Sequence, residues 1–144
     1  MKDTTSDLEI RAIIEARAQA ASAGDVDAMM IDVADDVMVF DVVDPLRRAG
    51  KASTSERAIK WQESYDRPPI WENRDVAVTT DGDVAFSHSL SHVTGKLKAG
   101  EEIDMWFRTT LGFRRIAGRW MIVHDHGSVP FEPESGKASL GLKP

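Results

Sequence analysis

From Trp71 onward the chain reads as four β-type runs separated only by tight turns, and this constrains the fold more than any other feature. The runs are WENRDVAVTT (71–80), VAFSHSLSHVTG (84–95), EIDMWFRTTLGFRR (102–115) and RWMIVHDHGSV (119–129). The connections DGD, KAGE and IAG are too short for crossovers, so the runs predict an antiparallel meander. The sheet needs cover on at least one face, and the earlier residues supply it. Ser6 and Glu9 have capping-box spacing and open a helix with Ile10, Ile13, Ile14, Arg17, Ala18 and Ala21 on one side. Gly24 ends it. Asp25 can cap a short second helix with Val26, Met29, Met30 and Val33 inward. VMVFDVV (37–43) predicts a strand and DPLRRAG a loop. Ser53 and Glu56 suggest a second capping box, opening a third helix with Ala58, Trp61, Gln62 and Tyr65 along one side, until Pro68-Pro69 stops it. Helices segregated from strands predict the α+β class.

The 144 residues make one domain of ordinary size. We expect that domain to span residues 1–131, with a Gly-, Ser-, Pro- and Lys-containing arm or tail at 132–144. The net charge is -6 and no basic stripe exists, which argues against nucleic acid and anionic membranes as partners. With no cysteine, thiolate nucleophiles and thiolate metal ligands drop out. MKDTTSDLEI lacks the apolar core of a signal peptide, and no apolar run reaches the roughly 20 residues of a membrane helix. A cytoplasmic protein is expected.

A strand alternates its faces. A hairpin turning near Ala117 opposes Arg114 with Trp120, Thr110 with His124 and Arg108 with His126. One face then carries Trp106, Arg108, Thr110, Trp120, Ile122, His124, His126 and Ser128, with His88 on the preceding run. Imidazoles and a guanidinium on an apolar surface predict a ligand pocket there. The opposite face, with Phe107, Leu111, Phe113, Met121 and Val123, becomes the expected interface of a homodimer.

The helix, the segment GDVDAMMIDVADDVMVFD, the third helix and the meander together resemble the cone-shaped α+β fold of the nuclear transport factor 2-like superfamily over roughly residues 6–131. GDVDAMMIDVADDVMVFD is nearest to ketosteroid isomerases. MWFRTTLGFRR, GRWMIVHDHGSVPF and ESGKASLGLKP are similar to the bacterial SnoaL-like subgroup. The resemblance implies that Asp41 occupies the position of the isomerases' catalytic base. Their oxyanion-hole tyrosine falls near Arg17 and their second carboxylate near Thr109, so that oxyanion hole is not present in the same form.

The candidate catalytic residues are Asp41 as general base, His124 and His126 as proton-transfer groups, and Arg108 as the group that steadies negative charge. The candidate substrate-binding residues are Arg17, Trp61, Tyr65, His88, Trp106, Thr110, Trp120 and Ser128. Bland alternatives exist for each. Asp41 could be a solvated strand-end carboxylate or pair with Arg47 or Arg48, the histidines could be structural, and the aromatics could be core. His124 and His126, with His88, could also share a metal ion, but no companion motif supports this, and we assign no metal and no cofactor. The expected partner is a small molecule with an apolar part and an anionic or carbonyl part. The expected function is acid–base chemistry of an isomerase, cyclase or lyase type; the alternative is a non-catalytic ligand- or partner-binding module.

Overall fold

The computed structural model describes residues 4–144. Its elements are α1 (Thr4–Ala23), α2 (Val26–Met30), β1 (Val33–Phe40), β2 (Arg48–Ala49), α3 (Lys51–Glu63), β3 (Ile70–Asp81), β4 (Val84–Lys96), β5 (Glu102–Ile116) and β6 (Arg119–Ser128). The strands form one sheet in the order β2-β1-β6-β5-β4-β3. All neighbouring pairs are antiparallel except β1 with β6. The chain is therefore α+β, with N-terminal helices packed on an open, mainly antiparallel sheet, as its pattern predicts.

The helical stripes are where the spacing puts them. Ile10, Ile14, Ala18 and Ala21 of α1 are buried, and Ile10, Ile14 and Ala21 pack with Met29 and Met30 of α2 against Val33, Val37 and Val39 of β1. From the sheet come Leu111, Phe113, Trp120 and Ile122. Each fully buried Val, Leu, Ile, Phe or Met side chain among them contributes about 1.5–3 kcal/mol. No helix among the described residues is long and apolar enough to cross a membrane.

Gly24, at φ 72°, closes α1 in the left-handed conformation that glycine adopts without cost. Asp25 caps α2, accepting from the Ala28 N–H at 3.0 Å. The two expected capping boxes do not form. Ser6 lies inside α1, where its hydroxyl accepts a hydrogen bond from Arg115 at 2.8 Å. Helix α3 starts two residues before Ser53, behind Gly50, and the Ser53 hydroxyl donates back to the Ala49 carbonyl at 2.9 Å. The first strand runs Val33–Phe40 rather than 37–43, and the loop DPLRRAG contains the short β2, which pairs Met38 with Ala49. After β6 the chain turns back on itself. Phe131 bridges Ala138, and the Ser139 N–H donates to the Pro130 carbonyl.

The register of the last hairpin decides which side chains face the helices. Its turn is the two-residue Ala117-Gly118, both at positive φ, so Ile116 pairs with Arg119 and Arg114 with Met121. The expected register is thus off by one at the turn. It shifts again at Val123, a bulge residue between the Phe113–Ile122 and Gly112–His124 pairs. A bulge adds one residue to one strand and re-aims the side chains beyond it. Before it, Trp120 and Ile122 face the helices and are 3% and 0% exposed. After it, Asp125 and Gly127 face the helices, while His124 and His126 turn to the far side with Met38 and Phe40 of β1. The histidines therefore do not share a face with Trp120 and Ile122. Gly112 lies opposite the bulge, where an added Cβ would sit 3.3 Å from the Cβ of His124.

Candidate functional site

Between the helices and the inner sheet face lies a cavity of about 190 Å³. Its apolar walls include Ile14 and Ala18 of α1, Met29 of α2, Ala58 and Trp61 of α3, and Phe107 and Leu111 of β5. One corner is a chain of edge-to-face rings. Trp61 lies 5.6 Å from Tyr65 and 5.7 Å from Trp71, and Trp71 lies 5.3 Å from Phe107. Such pairs add a directional term to burial and hold the wall in shape. Beside them, Asn73 Oδ1 accepts from Trp71 Nε1 at 3.1 Å and from Ser91 Oγ at 2.9 Å. Ser91 in turn meets Thr109 at 2.8 Å. Thr109, near which the resemblance to ketosteroid isomerases would put their second carboxylate, is thus a member of a buried polar chain.

Charged groups enter this apolar space from four elements and from the chain after β1. Asp41, just past the end of β1, accepts from the Val42 N–H through Oδ1 at 2.7 Å. Its Oδ2 is 3.3 Å from Arg57 Nε and 3.8 Å from Arg48 Nη1. Arg17 of α1 donates through Nη2 to Asp125 Oδ2 at 3.2 Å. The other Asp125 oxygen makes no hydrogen bond among the described residues. Three guanidiniums and two carboxylates therefore line one cavity.

Tyr65 closes the far end and is 6% exposed. Its ring lies across Gly95, where a Cβ would come within 2.9 Å of two ring carbons. Burial pushes its hydroxyl above the ordinary tyrosine value, against the opposing effects of a hydrogen bond with Trp61 and the charge of Arg57. The phenol thus stays a proton-bearing donor through neutral pH. Tyr65 is the chain's single tyrosine, so phenolate absorbance reports it alone. The alkaline midpoint should lie above about 10 in the folded protein and near 10 in urea. The stability this group contributes is complete below about pH 10 and is lost as pH rises through the folded-state value. Equal midpoints in the two states would contradict the burial.

Of the residues expected at the site, Asp41, Arg17, Trp61 and Tyr65 line the cavity. The others do not, and the register is the reason. Arg108, Thr110, His124, His126 and Ser128 do share a face, as expected, but it is the outer one. There Arg108 Nε donates to Ser128 Oγ at 3.1 Å, and His124 Nδ1 donates to the Met38 carbonyl at 2.7 Å. The edge of Phe40 packs against both histidines, at 4.8 and 5.3 Å. His88 pairs with Thr110 and falls on the same side. Trp106 is also outside, stacked on His92 at 4.3 Å. His92 hydrogen-bonds Asp104 at 2.6 Å and holds that carboxyl below the usual range. Trp120 is core, with the Arg115 guanidinium 4.6 Å above its ring. No group of three or more His, Asp or Glu among the described residues stands ready to hold a metal ion.

The residues expected to join subunits do not share one face: Met121 lies on the outer face beside the inward Trp120 and Ile122, Val123 is the bulge residue, and the three from β5 point inward. Phe107 and Leu111 line the cavity and Phe113 is core. Three site residues were missed. With Val123 present, Asp125 points inward only because the bulge absorbs that extra residue. Arg57 falls on the Ala58–Trp61–Tyr65 stripe of α3, whose spacing includes Thr54 and Arg57, and that signal was readable. Arg48 was expected only as a partner of Asp41.

The family profile described as SnoaL-like domain matches residues 10–132. No curated protein matches. Among solved structures, an NTF2-like protein of unknown function from Pseudomonas putida KT2440 is 30% identical, with 100% of each chain covered and a TM-score of 0.90. A ketosteroid isomerase-like protein from Erwinia carotovora is 24% identical over 84% of this chain and 93% of its own, with a TM-score of 0.72. An NTF2-like protein with a cystatin-like fold from Novosphingobium aromaticivorans is 19% identical over 90% of this chain and 85% of its own, at 0.72. The helices on an open, mainly antiparallel sheet and the profile match over most of the chain agree: this protein belongs to the SnoaL-like domain family and has the nuclear transport factor 2-like fold.

Proposed function

We propose that the cavity receives a small molecule with an apolar body and an anionic or carbonyl end, and that a carboxylate in its wall moves a proton on that molecule. One observation carries this reading. Asp41 and Asp125 both open into a single apolar-walled space, each faced by arginine. A carboxylate in such a place can take a proton beside a carbonyl, while guanidinium donors steady the oxygen that becomes negative. Of the two, Asp125 is the better base, because one of its oxygens is uncommitted. Asp41 is engaged on both sides and orients Arg48 and Arg57. A cavity near 190 Å³ is below the roughly 300 Å³ at which drug-sized pockets begin, which argues against a fused four-ring substrate. The test is a screen of small carbonyl and carboxylate compounds for binding by calorimetry, followed by proton–deuterium exchange on those that bind. Exchange catalysed by the protein supports the reading. Binding with no exchange would leave a ligand-holding module, and no binding at all would sink both.

We also propose that the outer sheet face joins two copies of the chain. It exposes Phe86 at 49% and Phe40 at 37%, on the same face as Met38, Leu90 and Trp106. An aromatic surface of this kind on a sheet is costly to leave in water. Sedimentation at micromolar concentration should give a dimer, and Phe40→Asp should give a monomer. A wild-type monomer there would contradict the proposal.

A further inference from the structure

Two charged donors on arginines of the cavity wall lack hydrogen bonds. Arg17 Nε and Arg48 Nη1 are buried and make none among the described residues. A buried donor on a charged group is expensive to leave unmade, and water or a ligand acceptor relieves that cost. Both arginines line the same space, Arg17 from α1 and Arg48 from β2. Their present partners leave capacity over. Arg17 uses Nη2 on Asp125, and Arg48 stands 3.8 Å from an Asp41 oxygen that Arg57 approaches more closely.

The charge count agrees. Arg17, Arg48 and Arg57 against Asp41 and Asp125 leave one positive charge without a counter-charge in the wall. A single negative charge on the occupant balances it, and a dianion overshoots. Size narrows the class further. An apolar cavity of about 150 Å³ holds benzene, so about 190 Å³ suits one ring with a small polar group. The edge-to-face rings of Trp61, Trp71 and Phe107 offer that ring an aromatic wall.

We propose that the ligand is a monocarboxylate with a body of about one ring, whose carboxylate is held by the guanidiniums of Arg17 and Arg48. This rests on the reading of the cavity as a ligand site and specifies what that site selects. The Arg fork matches a planar two-oxygen acceptor, and a neutral amide of the same shape offers only one oxygen and no charge.

The test uses benzoate, benzamide and phthalate as probes, with calorimetry on the purified chain. Benzoate should bind on the order of tenfold or more tighter than benzamide, and phthalate should bind more weakly than benzoate. Arg48→Gln should bring benzoate down to the level of benzamide and leave benzamide unchanged. Arg48→Lys, which keeps the charge, should recover part of the loss. Melting curves identify any variant that fails to fold, and in that event the wild-type ranking of the three probes decides. Benzamide as tight as benzoate, or Arg48→Gln weakening both probes equally, overturns the anion assignment while the cavity remains a ligand site. Binding of none of the three by folded wild-type protein overturns the size and charge class together. If the wider screen is also empty, the cavity reading falls with it.

Discussion

Phe113→Ala is expected to lower the unfolding free energy by about 3–5 kcal/mol, the range for removing a large aromatic from a packed core. Phe113 is 2% exposed and sits on the inner face of β5, in the cluster that joins α1 and β1 to β6. It pairs across the ladder with Ile122, which is 0% exposed. Its loss removes ring burial and leaves a void whose neighbours are anchored in two long strands, so the site collapses poorly. Urea titration at one fixed protein concentration measures this, and the slope with urea should not change. A cost under about 1 kcal/mol would mean that Phe113 faces out and that the sheet has the opposite register. The experiment therefore tests the facing of the whole hairpin as well as one side chain.

Asp125→Asn should reduce turnover of a screened substrate by at least about 10²-fold, the low end for loss of a general base. The amide keeps the shape and can still accept from Arg17, so binding should change less than kcat. Asp41→Asn should behave differently. It leaves Arg48 and Arg57 without their shared carboxylate, so its main effect should fall on KM, with kcat within about tenfold. The comparison separates the two carboxylates by which constant moves. Loss of kcat in Asp41→Asn, with near-normal kcat in Asp125→Asn, would return the base to the position that the likeness to ketosteroid isomerases implies. His124→Gln and His126→Gln should leave kcat alone, since both rings lie behind the sheet.

The fold was legible in the sequence because its signals are local and repeated. Ile10, Ile14, Ala18 and Ala21 recur at helical spacing, and four long alternating runs joined by short turns leave little choice but a meander. Helix boundaries were less legible. Ser6 and Ser53 have capping-box spacing, but Ser6 accepts from Arg115, more than a hundred residues away, and Ser53 bonds within its own first turn. The site was half legible. Arg17 and Asp41 were found, Arg17 because it lies in a clear apolar stripe and Asp41 through the likeness to the isomerases. The other half depended on register, and register depends on where one extra residue is accommodated. Alternation within 120–128 cannot report a bulge at Val123, because each side of it alternates correctly on its own. The grouping of Arg108, Thr110, His124, His126 and Ser128 survived that error, whereas their assignment to the cavity and their alignment with Trp120 did not.

The bulge at Val123 does two separable things, and only one of them is a matter of phase. Counting residues, removal of Val123 would give an unbroken ladder in which Gly112 still meets His124 and Leu111 still meets Asp125. Asp125 would keep its inward aim and the histidines their outward one. What would vanish is the extra local twist that a bulge imposes on its strand, and with it part of the bend of the wall over the cavity. The chemistry lining the site is thus insured against loss of this residue, while the curvature around it is not. A shortened β6 would carry the same groups on a flatter wall, so the shape of the chamber can change by one residue without any change in what it contains.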